Sequence, residues 1–252
     1  MLTTDAAYRS MLRNIIDLGE ERPSRNGVCL EILSNSVVFD MNSPFITLPR
    51  RKVSLSFAVK EAEWMLSGRN DIFHPNLKRY SDDGVVLTGA YGPKVVQQID
   101  YVIDTLRKDP WSRQAVMTIW ERNPSPSKDI PCTVGLQFIL RDSRLFTTVF
   151  MRSSDAWLGF PYDLFSFSMI SLAILQGTGC TKLGSIAFML GSSHIYETDL
   201  SSAADTLEDY ISTSRHCKVL NVASIINDPR NVKDILADCL ATHSLESIFK
   251  DD

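Results

Sequence analysis

The 252-residue sequence predicts a mixed α+β fold built around a large sheet. Segments with helical apolar spacing and segments with strand-like alternation are interspersed along the chain, which is typical of this class. The sequence has no internal repeat, low-complexity tract or linker-like change in composition. Because a chain of this length can bury one large core, we predict a single domain over residues 1–252.

The first half of the chain is predicted to contain two helices, one strand and two loops. Residues 4–19 carry apolar positions at helical spacing, and the polar segment "RPSRNG" then breaks the pattern as a loop. Residues 28–41 alternate in the manner of a strand. Residues 53–68 return to helical spacing and stop at a glycine, and residues 69–92 are polar and turn-rich, as loops are.

The second half is predicted to contain most of the sheet. Helical spacing, alternating apolar residues and turn signals divide it in chain order. The predicted elements are a helix at 95–108, a strand at 115–120, a proline-rich loop at 121–131, two strands joined by the turn "RDSR" within 132–155, an apolar helix at 165–179, a strand at 183–196 and a final amphipathic helix at 197–213.

Composition and charge exclude several functional classes. The formal net charge of -4 and the pI near 5.6 argue against direct binding to nucleic acid or to an anionic membrane. No apolar run approaches the roughly 20 residues that cross a bilayer, and the N-terminal segment has charges where a signal peptide is apolar. Five scattered cysteines without a C-x-x-C pair indicate neither a disulfide framework nor a metal site. We therefore expect a soluble, cytoplasmic protein.

Cys132 is the candidate nucleophile. It follows Pro131 at the end of a polar loop and begins a predicted strand, where a thiol can face a cleft. A lone cysteine is more often an inert packing residue. The alternative gains weight from Arg113 and Arg152, which lie at strand boundaries, because nearby positive charge lowers the pKa of a thiol and activates it.

Several polar residues form a candidate nucleotide site. Arg25, Arg113, Arg152 and Ser153 together suit a phosphate, although each arginine alone is more often a surface charge. Two further residues, His194 and Tyr196, stand two positions apart on a predicted strand and so share a face, where they suit either a sugar hydroxyl or the core.

Three carboxyl groups occur among apolar neighbours. Asp155 and Asp163 lie in "RSSDAWLGFPYDLFSFS", and a fold keeps such buried charges only with an internal partner or a polar ligand. Glu61 lies in the helical segment "AVKEAEWML". On the inner face its raised pKa would suit general acid–base catalysis, whereas on the outer face it would be a solvated charge.

These residues belong to an ordered set of motifs that resembles the thymidylate synthase superfamily. The motifs are "SRNG", "KEAEWMLSG", "AYG", "DPWSRQ", "PC" before "LQF", "RSSDAWLGFPYD" and "GSSHIY", from about Arg25 to Tyr196. The resemblance implies an α+β fold whose large, mainly antiparallel or mixed sheet is flanked by helices. It also implies a homodimer that associates through this sheet.

The resemblance also implies a reaction. Cys132 would attack C6 of a pyrimidine nucleoside monophosphate, which makes C5 nucleophilic toward the one-carbon unit of 5,10-methylenetetrahydrofolate, and no metal would be needed. Glu61 would manage protons through water, and Tyr91 would assist removal of the C5 proton. The implied binding residues are Arg25, Arg152 and Ser153 for the phosphate, Arg113 for the phosphate from the partner subunit, His194 and Tyr196 for the sugar 3′-hydroxyl, and Asp155, Trp64 and Gly159 for the folate.

The departures from the family pattern suggest a different base. Synthases carry asparagine where this chain has Asp163, and asparagine complements N3–H and O4 of uracil. A carboxyl group can accept from the cytosine amine and, when protonated, donate to N3. Thr133 replaces a histidine after the nucleophile, and the final "LESIFKDD" lacks the proline and glycine of the synthase tail. We therefore expect a chain similar to the deoxycytidylate 5-hydroxymethyltransferase branch, in which water captures the C5 methylene.

Two more departures leave alternatives open. Gln114 replaces the second arginine of a phosphate-binding motif, and Met151 replaces a glutamine before "RS". The expected product is 5-hydroxymethyl-dCMP, as a virus would need to modify its DNA precursors, which would place the protein in the host cytoplasm. The alternatives are a CMP 5-hydroxymethylase, a thymidylate synthase or C5-methyltransferase acting on dUMP or dCMP, and a non-catalytic nucleotide-binding module.

Overall fold

The computed structural model describes residues 2–208 and 218–250. These residues form seven α-helices, seven β-strands and two short 3-10 helices. The helices are α1 (Thr4–Leu18), α2 (Leu55–Leu66), α3 (Gly92–Lys108), α4 (Phe160–Thr178), α5 (Glu197–Thr206), α6 (Val222–Asn227) and α7 (Val232–Ala241), and the 3-10 helices are Pro75–Tyr80 and Leu245–Ile248. The strands are β1 (Glu20–Ser24), β2 (Gly27–Asp40), β3 (Val116–Thr118), β4 (Thr133–Arg141), β5 (Arg144–Met151), β6 (Ser154–Asp155) and β7 (Lys182–Tyr196).

One mixed, mainly antiparallel sheet contains all seven strands. Its order is β1-β2-β7-β5-β4-β3, and the short β6 also pairs with β7. The β5–β7 and β6–β7 pairs are parallel, and the other pairs are antiparallel. The β4–β5 hairpin turns at Asp142 and Ser143, which both have positive φ, as the central residues of a type I′ turn do. The predicted α+β class is confirmed, and so is the turn at "RDSR".

Helix α4 lies at the centre of the core and fixes the approach to the site. Its inner side chains are fully buried, and the Phe160 ring packs on Phe188 of β7 at a centroid distance of 4.8 Å. The first turn contains Pro161, which is preorganised for a helix start, and the helix ends at Gly179 with φ of 75°. The start of α4, which carries Asp163, is therefore held rigidly against the sheet.

Several predicted elements differ from the structure: α4 begins five residues earlier than predicted, the loop at 69–92 contains the 3-10 helix Pro75–Tyr80, and the segment 132–155 forms three strands instead of two. Two further differences change the topology. The segment "RPSRNG" is not a loop throughout, because residues up to Ser24 form β1, which pairs with β2 around Gly27 at φ of 121°. A helix was predicted at 197–213, and in the structure α5 ends at Thr206. Residues 209–213 of the predicted helix lie outside the described residues. It was also predicted to be the final helix, which is wrong. Both α6 and α7 follow it, each started by an asparagine cap whose signal was readable in the sequence.

The described helices include none that is both long and apolar enough to span a membrane.

Candidate active site

The Cys132 thiol lies where β4 begins, directly beside the end of β5. The backbone N–H of Arg152 donates to the Cys132 carbonyl at 2.9 Å, and its guanidinium Nη2 is 3.9 Å from Cys132 Sγ. Burial raises the pKa of the thiol, the Arg152 charge opposes that rise, and nearby carboxylates, including Asp163, add to it. Burial therefore favours the neutral thiol, and the Arg152 charge favours the thiolate, which is the nucleophilic form.

Two of the predicted phosphate ligands contact the loop that precedes Cys132. Arg152 donates to the carbonyls of Ile130 and Pro131, each at 2.9 Å, and its guanidinium lies over the Trp120 ring. Arg25, in the β1–β2 turn, donates to the carbonyl of Lys128 at 3.2 Å. Both guanidinium groups thus converge on residues 128–131, and both remain exposed enough to meet an anion.

Glu61 is on the inner face of α2, and the solvated alternative is wrong for this side chain. Its carboxyl accepts a hydrogen bond from Ser166 of α4 at 3.0 Å. Burial raises the pKa of Glu61 to about 7, and the Ser166 hydrogen bond opposes the rise. A carboxyl group with this pKa exchanges protons readily near neutral pH.

Asp163 lies in the first turn of α4, where its backbone N–H donates to the Gly159 carbonyl at 3.1 Å. Burial raises the pKa of its carboxyl well above the ordinary value, and the charges of Glu61 and Asp155 raise it further. The described residues offer this carboxyl no hydrogen-bond partner. Burial and the nearby carboxyl groups therefore favour the protonated form of Asp163, which is available to a ligand.

Tyr91 lies immediately before α3 and faces the same space. Its ring stacks on Phe167 of α4 at a centroid distance of 6.0 Å. Burial raises the pKa of the phenol well above its ordinary value, and the charges of Asp163 and Cys132 contribute to that rise. The neighbouring Thr133 is fully buried, and its hydrogen bonds to the phenol oppose that rise. Tyr91 thus lies beside the thiol and the unpartnered carboxyl group.

Asp155 and His194 form a cross-strand pair on β6 and β7. Asp155 Oδ1 accepts the N–H groups of Trp157 and Leu158, each at 2.9 Å, so this carboxylate already shapes the turn before α4. Burial raises the pKa of Asp155 and lowers that of His194. The His194 ring contacts Tyr196 edge-on at 5.1 Å.

The remaining predicted residues lie in different surroundings. Ser153 follows Arg152 and is half-buried. Trp64 is 4% exposed and donates its indole N–H to the Asp71 carbonyl at 3.0 Å, so in this structure it supports the loop after α2. Gly159 lies at the start of α4, close to Asp163. Arg113 does not approach Cys132 of the same chain. Its carbonyl accepts from the side chain of Gln137, and Gln137 lies about 17 Å along β4 from Cys132.

Three contacts were missed by sequence reasoning. Ser166 bonds to Glu61, and Asp129 accepts the N–H of Gly89, next to the segment with Tyr91. Arg51 donates to the Trp157 carbonyl at 2.9 Å and lies over the Trp157 ring, which holds the turn before α4. A local pattern signals none of them, since each joins segments far apart in sequence.

A family model described as thymidylate synthase matches residues 6–238. The chain belongs to the thymidylate synthase family. The match covers most of the sequence and extends on both sides of the interval from Arg25 to Tyr196 that carries the motifs. The protein is therefore a transferase of the kind that moves a one-carbon unit from methylenetetrahydrofolate to pyrimidine C5, with a pyrimidine nucleotide as substrate.

The chemistry of the residues present fits a folate co-substrate. Asp155 caps the turn that contains Trp157, and the Arg51 guanidinium lies over the rings of Trp157 and Tyr162. Carboxyl, guanidinium and aromatic groups of this kind suit a flat, hydrogen-bonding heterocycle. Within the part of the chain that the structure describes, no group of three or more His, Cys, Asp and Glu is arranged to hold a metal ion.

The raised pKa of Glu61 predicts a specific dependence of stability on pH. Between the ordinary pKa of 4.5 and the folded value of about 7, the folded state binds a proton that the unfolded chain lacks. This stabilisation is present at low pH and is lost as the pH rises through about 7. We measure the free energy of unfolding with urea at about pH 5 and at about pH 7.5. Between these two pH values it should fall by about 1–3 kcal/mol less in Glu61→Gln than in the wild type.

The matched control is Glu63→Gln on the same helix, because Glu63 bonds to Ser67 and pairs with Arg69 instead of facing the site. That variant should keep the pH dependence of the wild type. An identical pH dependence in Glu61→Gln and wild type would show that Glu61 is not the buried proton-binding group.

Proposed function

We propose that the protein is a cytidylate C5-hydroxymethyltransferase that uses 5,10-methylenetetrahydrofolate and acts on dCMP. The observation that carries this proposal is Asp163, an unpartnered carboxyl group whose pKa is raised by burial and by Glu61 and Asp155. When protonated, it can donate to N3 of cytosine and accept from the exocyclic amine. Uracil has a donor at N3, so a donating carboxyl group opposes it.

The thiol, phenol and second carboxyl group suit the covalent part of the reaction. Cys132 Sγ would add to C6 of the base, so that electron density moves to C5. The bound folate supplies the one-carbon unit at the oxidation level of formaldehyde. Tyr91 lies beside the thiol and would assist loss of the C5 proton, while Glu61, with a pKa of about 7, would exchange protons through water.

Hydration completes the proposed reaction without a change of oxidation state. After the C5 proton is lost and tetrahydrofolate leaves, water adds its oxygen to the exocyclic methylene. The thiolate then leaves C6, which restores the aromatic pyrimidine. A methyl product would instead need a hydride from the folate and would release dihydrofolate. The two outcomes therefore differ in both nucleotide and folate products.

The two ends of the nucleotide have candidate ligands. Arg25 and Arg152 converge on one loop beside Cys132, and we assign them and Ser153 to the phosphate. We assign His194 and Tyr196, which are in edge-on contact on β7, to the sugar hydroxyl. Asp155, Trp64 and Gly159 are assigned to the folate side by family likeness, with Asp155 acting mainly through the turn that it caps.

We also propose that a second copy of the chain covers the open face of the sheet. Phe150, Met189 and Val38 lie on neighbouring strands, share that face and are 41%, 44% and 46% exposed. Their neighbours Val149 and Phe188, on the other face, are fully buried. A continuous apolar face of this kind is typical of a subunit interface. Arg113 would then reach the phosphate of the partner's site.

A subunit-mixing experiment tests the proposed sharing of Arg113. Cys132→Ser should be inactive alone and Arg113→Gln weakly active, whereas refolding them together should restore up to about a quarter of wild-type activity. Half of the dimers would then be hybrids, and each hybrid has one site with an intact thiol and an intact partner arginine. Mixing Cys132→Ser with Glu61→Gln is the control and should restore nothing, because both residues serve the same chain's site. No recovery in the first mixture would contradict the shared site.

The function itself is tested by incubating the protein with methylenetetrahydrofolate and dCMP, CMP or dUMP and weighing the products. We expect addition of CH2O to dCMP. Exclusive conversion of dUMP to a methylated product would show a thymidylate synthase, and turnover of CMP alone would show a ribonucleotide enzyme. Nucleotide binding without turnover of any of the three would show a binding module.

A further inference from the structure

Two loops that carry the candidate catalytic residues are joined by one carboxylate. Asp129 Oδ2 accepts the backbone N–H of Gly89 at 2.8 Å. Asp129 is three residues before Cys132, and Gly89 is two residues before Tyr91. A hydrogen bond at this point therefore sets the distance between the segments that present the thiol and the phenol.

The contact between the loops is close as well as polar. A Cβ atom on Gly89 would lie 2.3 Å from the backbone carbonyl oxygen of Asp129, so only glycine permits this approach. Within its own loop, Asp129 donates its N–H to Ser127 Oγ at 3.0 Å. Ser127 in turn donates to Asp82 at 2.6 Å, and Asp82 also accepts the N–H of Lys128 at 3.2 Å. The loop before Cys132 is thus held at two points.

Asp129 also contributes to the electrostatic surroundings of the thiol. The charged groups that face Cys132 are Arg152, Asp163, Asp129 and Asp155, and the Tyr91 phenol lies beside them. Burial raises the pKa of the half-buried Asp129 carboxyl, and the Gly89 N–H opposes that rise. The hydrogen bond to Gly89 therefore favours the ionised carboxylate in this position.

We propose that Asp129 is a positioning residue that holds the loop carrying Cys132 against the loop carrying Tyr91 through its bond to Gly89. The carboxylate touches neither substrate nor folate in this role, and it acts by fixing the distance between thiol and phenol. This inference rests on the proposed function only in taking Cys132 and Tyr91 as partners in one reaction.

The test compares two substitutions at Asp129. Asp129→Ala should lower kcat by about 10- to 100-fold with little change in KM for the nucleotide, because small displacements of reacting groups are costly. Asp129→Asn should recover most of the activity, since its amide oxygen still accepts from Gly89. Gly89→Ala should behave like Asp129→Ala, because its methyl group pushes the loops apart. Asp100→Asn, which removes an exposed carboxylate on α3, should match the wild type.

A substrate-free readout separates this inference from the proposed function. Alkylation of Cys132 by iodoacetamide, followed by peptide mass spectrometry, should be several-fold faster in Asp129→Ala than in wild type, while alkylation of Cys180 stays unchanged. Wild-type kcat and wild-type alkylation in Asp129→Ala would overturn the inference, as would an Asp129→Asn variant as impaired as Asp129→Ala. If no nucleotide is turned over, the proposed function fails and the alkylation rates still decide the inference.

Discussion

Asp163→Asn should shift the preference of the protein from cytidylate toward uridylate. In the wild type, burial and two neighbouring carboxyl groups favour the protonated form of Asp163, and in our proposal this form presents a donor and an acceptor that match cytosine. Asparagine carries no titratable proton, and its amide complements N3–H and O4 of uracil. A site with a mismatched buried polar group loses much of its affinity for the transition state.

We expect the ratio of kcat/KM for dCMP to kcat/KM for dUMP to fall by at least about 100-fold in this variant. The asparagine amide can also flip, so that its oxygen and nitrogen exchange places and pair with cytosine. Some activity on dCMP should therefore persist. The measurement is kcat/KM for both nucleotides at saturating methylenetetrahydrofolate, at several pH values. The wild-type preference for dCMP should weaken as the pH rises and Asp163 ionises, whereas the preference of the variant should be independent of pH.

Asp155→Asn is the matched control for this substitution. Asp155 belongs to the same cluster of carboxyl groups, but its carboxylate already caps the turn before α4, whereas the Asp163 carboxyl has no such partner among the described residues. It should lower activity on both nucleotides by similar factors. A ratio that is unchanged in Asp163→Asn, or changed equally in Asp155→Asn, would mean that Asp163 does not read the base.

Cys132→Ser should abolish turnover while leaving nucleotide binding measurable. A serine hydroxyl is a far weaker nucleophile than a thiolate, and the contacts of Arg152 with the neighbouring loop do not depend on sulfur. We expect kcat to fall by about 10⁴-fold or more, as when a nucleophile is removed from other enzymes. Steady-state assays and calorimetric titration with dCMP measure the two effects separately.

Cys180→Ser controls for the general effect of losing a thiol. Cys180 is similarly half-buried but lies after α4, and its backbone N–H bonds to Thr178 Oγ1. Its substitution should leave kcat near the wild-type value. Equal activity of Cys132→Ser and wild type would overturn the assignment of the nucleophile and would favour chemistry without a covalent adduct.

Much of the fold was predictable because its elements have strong local signals. The alternating residues of β2 and β7 and the helical spacing of α1 to α3 appear at nearly the predicted bounds, whereas α4 begins at Phe160, before its predicted start at 165. Strand β1 was missed because its five residues are exposed and polar, and only pairing with β2 makes it a strand. Its formation depends on tertiary contacts, which local propensity does not report.

The composition of the site was more predictable than its contacts. The order of the motifs predicted that Cys132, Glu61 and Asp163 belong to one site. In the structure, Asp163 interacts electrostatically with both Cys132 and Glu61. The partner of Glu61 is Ser166, 105 positions away, and no periodicity encodes such a contact. Sequence patterns report local backbone preference, whereas these hydrogen bonds depend on how α2 packs against α4.

The three charged residues of the segment from Arg152 to Ser168 differ in their surroundings, and Arg152 is exposed. Arg152 and Asp155 are partly satisfied within the chain, by loop carbonyls and by the N–H groups of the following turn. The carboxyl group of Asp163 has no such partner among the described residues and depends on protonation or on a ligand. Of the three residues, it is therefore the one that we propose to contact the base.

The central claim is tested most directly by the mass of the nucleotide formed from dCMP and methylene-labelled tetrahydrofolate in heavy-oxygen water. We predict a product that contains the labelled carbon and one oxygen atom from the solvent, together with tetrahydrofolate. A product that contains the labelled carbon as a methyl group, with release of dihydrofolate, would contradict the hydroxymethyltransferase. The absence of any labelled product from dCMP, with turnover of dUMP, would contradict the cytidylate substrate as well.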